Sequence, residues 1–181
     1  MALNWIHQMP SQNTGYASLI YSKDIETAKN NAIEGLKKYP GFHRFVWDLS
    51  ICHILEGEPQ KAIDVFETQK PDLKGMTTLY VNLGVANYKV GNTEKAYQLL
   101  VELMTLSQQM YVPKEKIAHF CFVVGLEEQG FYWLEKALEE RSTTLGFYTA
   151  FLPKKYLDDP RYLNVMNQIK GWVPWSYEKP Q

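Results

Sequence analysis

Small and apolar residues recur along this chain at one fixed step. Gly57, Gly91 and Gly125 lie 34 residues apart. Ala28, Ala62 and Ala96 form a second column at the same spacing, continued by Gly130, and Ala32, Phe66, Leu100 and Leu134 form a third. A step of 34 residues is the period of stacked helix–turn–helix units. The pattern predicts an all-α protein, a right-handed α-solenoid with repeats at about 9–42, 43–76, 77–110 and 111–144. A capping segment at 145–171 and a tail at 172–181 complete a single domain spanning 1–181.

The third unit shows the plan most clearly. Tyr80, Leu83, Gly84 and Asn87 fall on one helical face at three- and four-residue steps. Gly91-Asn92 stops that helix, because both residues tolerate the left-handed conformation, and Thr93 is placed to cap the next. Ala96, Leu100 and Leu103 are its inward stripe. The second unit repeats the arrangement with Val46, Leu49, Ser50 and His53, a turn at Gly57, Pro59 in the next first turn, and Ala62 and Phe66 beyond. The fourth runs from Lys114 to Val124, turns at Gly125 and continues from Glu127 to Glu140. The first is worn: its second helix is capped by Asp24, but its first, Ser11 to Tyr21, is short and interrupted by Gly15. Small residues at the eighth and twentieth positions of each unit let its two helices cross closely. Past an apolar stretch at Gly146 to Phe151, Asp159-Pro160 opens a last helix whose face is Tyr162, Val165, Met166 and Ile169.

Composition narrows the function more than it adds to the fold. A net charge of −1 and no basic cluster beyond a pair argue against nucleic acid or an anionic membrane as partner. No apolar run approaches the length of a membrane span, and the start lacks a secretory signal, so a cytoplasmic location is expected. The two cysteines, Cys52 and Cys121, lie in apolar helical stretches and read as buried reduced thiols.

The units resemble tetratricopeptide repeats. The third carries Tyr80, Leu83-Gly84, Tyr88, Ala96 and Leu100 where that family places large, Leu-Gly, aromatic, small and large residues, and departs at Leu103 and Gln108. The first supplies Ala28, Ala32, Gly35 and Pro40. The fourth unit, with Phe131 to Ser142 and the later Asp159-Pro160-Arg161-Tyr162, looks like a bacterial form of the repeat found attached to signalling and regulatory proteins. The resemblance covers roughly 9 to 171. It implies a scaffold and no chemistry of its own.

The resemblance also implies a concave groove lined by the first helix of each unit. Carried over position by position, the lining is Arg44, Trp47, Ile51, Ile54 and Leu55; Thr78, Val81, Val85, Tyr88 and Lys89; and Val112, Glu115, His119, Phe122 and Val123. Some family members clamp a partner's terminal carboxylate with Lys, Asn and Arg. Only Asn82 and Lys116 match here, and Trp47 and Ile51 stand where two clamp residues are needed. A mostly apolar groove marks an interaction site. The expected partner is a protein or peptide, laid in the groove as an amphipathic helix or apolar segment. Alternatively, the chain fills the groove itself with Trp5 and Ile6 or with Trp172 and Trp175, as in a ligand-sensing or regulatory domain, or a homodimer buries it.

Nothing in the motifs points to an enzyme, a cofactor or a metal. There is no Gly-rich phosphate loop, no zinc-type Cys-x-x-Cys and no His-Glu-x-x-His. Cys52 and His53 are adjacent and point apart on a helix, and His53 and Cys121 both occupy the eleventh, packing column of their units. A nucleophilic Cys–His pair would need two stacked units to bring those side chains together.

Overall fold

Eight α-helices and two short 3-10 turns make up a computed structural model that describes residues 24–142, 144, 145 and 152–169, with no strand among them. The helices are α1 (Ile25–Lys38), α2 (His43–Leu55), α3 (Pro59–Gln69), α4 (Thr78–Lys89), α5 (Thr93–Leu106), α6 (Lys114–Val123), α7 (Glu127–Glu139) and α8 (Pro160–Ile169). The expected first helix at 11–21, the stretch 146–151 and the tail 172–181 lie outside the described residues. The chain divides into two compact units between Thr93 and Glu94, inside the third 34-residue repeat.

One turn geometry recurs at the period read from the sequence. Gly57, Gly91 and Gly125 have φ of +77°, +90° and +82°. In each turn the amide after the glycine donates to a carbonyl five residues back: Glu58 to His53, Asn92 to Asn87 and Leu126 to Cys121, all within 2.8–2.9 Å. Two further bonds close each helix end, such as Val90 to Ala86 at 3.1 Å and Gly91 to Tyr88 at 3.1 Å. This arrangement satisfies the last carbonyls of the helix and reverses the chain in a few residues. A methyl group on any of the three glycines would meet nothing within 4 Å. They are needed for their backbone angle, not for space.

In the first unit, α1 packs on α2, and α2 touches both α3 and α4. Asp24 caps α1 by accepting from the Thr27 amide at 2.9 Å, and Pro59 opens α3 at a position that needs no donor. Ala28, Ala32 and Ala62 are fully enclosed where the helices cross. Gly35 does the same more severely, since a Cβ there would stand 2.6 Å from the Phe45 ring. Tyr39 and Phe42 surround that ring with centroids 6.4 and 5.4 Å away. The next loop is tied back by Gln69, whose Oε1 accepts from the Gly41 amide at 2.9 Å.

In the second unit, α6 and α7 form a tight pair and α8 lies against α7. Gly130 permits the close crossing: a Cβ on it would come within 2.6 Å of the Phe122 ring. Phe122 packs edge-on to Phe131 at 4.9 Å and against Tyr156 at 4.6 Å. Leu134, Ala137, Leu145 and Leu152 join these rings, and Tyr162, Val165 and Ile169 of α8 complete the cluster, with Met166 partly buried beside it. The face expected of the last helix is therefore the one that packs. Asp159 caps α8 by accepting from the Arg161 amide at 2.8 Å.

Candidate functional site

The residues expected to line a groove divide into a buried set and an open set. In the first unit Trp47, Val81, Asn82 and Val85 are all 5% exposed or less, and Ile54 and Thr78 are buried beside them. Arg44, Ile51 and Tyr88 are half-buried, and Leu55 and Lys89 are exposed. In the second unit Val112, Glu115 and Phe122 are buried, while His119 and Val123 are half-buried. The expected lining is thus largely core, and its open part in the first unit is Arg44 at the start of α2, with Ile51, Leu55, Tyr88 and Lys89 toward the C-terminal ends of the touching helices α2 and α4.

One buried polar group, Asn82, helps explain why part of this lining faces inward. The Asn82 amide donates to the Trp47 carbonyl at 3.3 Å and to Ser50 Oγ at 2.8 Å, and Ser50 donates to the same carbonyl at 3.0 Å. Asn82 therefore joins α4 to α2, with both of its amide hydrogens committed. Arg44 is engaged along its own helix. Its Nε reaches both carboxylate oxygens of Asp48 at 3.2 Å, and its guanidinium lies 5.3 Å from the Trp47 ring. Asp48 is buried; desolvation raises its pKa and the Arg44 charge opposes that rise. Neither Arg44 nor Asn82 has the free fork or amide that a carboxylate clamp requires.

On α6, Glu115 is 1% exposed. Its Oε1 accepts from Thr144 Oγ1, which fastens the segment after α7 to the start of α6. Burial pushes the Lys116 ammonium down to about 8 and the His119 imidazole down to about 4. The other clamp candidate, Lys116, is consequently a cation held in a poorly solvated place.

Both thiols are fully enclosed, and burial pushes Cys52 and Cys121 up to about 12. Thiolate is the nucleophilic and metal-ligating form, so neither sulfur is poised for that chemistry at neutral pH. His53 and Cys121 fall in separate compact units.

In the sequence His53 stands out only beside the cysteines, and its neighbours across the Gly57 turn are a finding of the structure. Among the described residues, His53, Glu56 and Glu58 bring one ligand atom each within 4.8 Å of one another. The signal that could have found them is the left-handed glycine, which returns the chain so that residues five apart meet.

No helix among the described residues is long and apolar enough to cross a membrane. Comparison with protein-family models, with curated proteins and with solved structures finds no match.

Proposed function

We propose that this chain is a helical-repeat interaction module of the tetratricopeptide type, which binds a protein or peptide along the first helices of its repeats. The recurrence of one left-handed glycine turn at residues 57, 91 and 125 carries this reading. A turn of one geometry repeated at a 34-residue step suits an array of helix–turn–helix repeats. The contact of α2 with α4, the first helices of neighbouring repeats, supports the same arrangement.

The binding surface is narrower than the full apolar lining. Ile51 and Leu55 toward the end of α2, with Tyr88 and Lys89 at the end of α4, are accessible members of it that lie on touching helices. An aromatic ring with a polar tip, two aliphatic side chains and one cation suit an amphipathic helix carrying an acidic residue. Affinity capture from the source cell with the full chain and with an Ile51→Glu/Tyr88→Glu variant tests the proposal. A protein retained by the wild type and lost by the folded variant supports it. Equal capture by both removes this surface from the reading.

A further inference from the structure

We propose that His53, Glu56 and Glu58 form a binding site for one divalent transition-metal ion of the zinc class, which staples the end of α2 to the start of α3. The spacing is that of a chelate. Nitrogen and oxygen ligands stand about 2.0–2.2 Å from zinc, which puts two tetrahedral ligands about 3.4 Å apart. His53 Nδ1 lies 3.3 Å from Glu58 Oε2 and 3.7 Å from Glu56 Oε2. Two edges of the ligand triangle are therefore close to the bound geometry before any ion arrives.

The scaffold around these atoms is fixed. His53 is 8% exposed, so its ring is held by packing. The Glu58 amide donates to the His53 carbonyl at 2.8 Å, the Glu56 amide donates to the Cys52 carbonyl at 2.9 Å, and Gly57 sets the reversal with φ +77°. The same turn forms around Gly91 and Gly125, where the corresponding residues are Asn87, Val90 and Asn92, and Cys121, Val124 and Leu126. A pair of glutamates is thus not required to make the turn. Among the three turns, only the one at Gly57 has a histidine and two carboxylates.

The ligand chemistry selects the ion. One imidazole and two carboxylates suit borderline transition ions, whereas magnesium prefers oxygen and water alone. The neutral imidazole is the form that offers a lone pair to a metal. Binding requires the tautomer whose proton sits on Nε2, leaving Nδ1 for the ion. The place already attracts positive charge. Lys29 Nζ lies 2.5 Å from Glu56 Oε2, and Lys61 Nζ lies 2.6 Å from Glu58 Oε1. Lys61 uses the oxygen of Glu58 that faces away from His53. Lys29 uses the one that faces it, so its ammonium competes directly with the metal and must swing aside.

Calorimetric titration of zinc chloride into the chelator-treated full chain tests the site, with magnesium chloride as comparison. The wild type should take up one zinc ion that Glu56→Gln, an exposed and foldable change, weakens by at least about tenfold. Lys29→Met should tighten it by up to about fivefold, the worth of the exposed ion pair it removes. Absence of stoichiometric zinc uptake overturns the proposal. So does a titration that Glu56→Gln leaves unchanged, which would place the ion elsewhere. Equal binding of magnesium, or no response to Lys29→Met, leaves an ion-pair network around His53 and overturns it as well.

Discussion

The guanidinium of Arg161 lies 3.6 Å from the centre of the Phe131 ring, and this contact holds α8 to α7. The same group reaches Glu127 and Glu128 at 3.0 Å each and Asp159 at 2.9 Å. A planar fork that stacks and pairs at once cannot be replaced by an ammonium. Arg161→Ala should lower the midpoint of urea denaturation, and Arg161→Lys should recover less than half of that loss. Full recovery by lysine would reduce the contact to simple charge.

Arg141 takes φ +51° at the end of α7, the conformation that glycine supplies at residues 57, 91 and 125. Its turn carries the same bond, from the Ser142 amide to the Ala137 carbonyl at 3.0 Å. Substitutions of opposite kind should therefore have opposite effects. Gly91→Ala should destabilise by about 1 kcal/mol, and Arg141→Gly should stabilise by up to about 1 kcal/mol. Thermal denaturation of the two variants reads both signs.

Asn82 and Ser50 act as one unit on the Trp47 carbonyl. Asn82→Ala should lower stability by about 1–3 kcal/mol, because it leaves a buried carbonyl and hydroxyl short of a donor. Adding Ser50→Ala to that variant should cost less than Ser50→Ala alone. Strictly additive losses in a double-mutant cycle would show that the bonds are independent.

Much of this was visible in the sequence where short-range rules decide. The glycine turns, the Asp24 cap, the proline opening α3 and the packed face of α8 each depend on a residue and its near neighbours. Burial of the lining was not visible. A 34-residue frame tells which way Trp47, Val81 and Val85 point from their helices, but not what another element places over them. Asn82 carried the same ambiguity, since an amide suited to a ligand also suits a buried carbonyl. The grouping of His53 with Glu56 and Glu58 escaped because it spans a turn and follows no helical step.

Acid should weaken the protein through His119. Its folded pKa of about 4 lies below the ordinary 6.5, so the unfolded chain takes up a proton first as pH falls. Stability is then complete above about pH 6.5 and is lost between there and about pH 4, by as much as about 3 kcal/mol. His53, lowered for the same reason, adds a loss of the same sign. His119→Gln should flatten the slope of unfolding free energy against pH in that interval. An unchanged slope would assign the acid sensitivity to other groups.

Hydrogen–deuterium exchange of the full chain, alone and with its captured protein partner, tests the proposed interaction surface most directly. Binding along the first helices predicts new protection at Ile51–Leu55 and Val85–Lys89, the ends of α2 and α4. Protection confined to other helices, with these two segments exchanging as in the free chain, would contradict it.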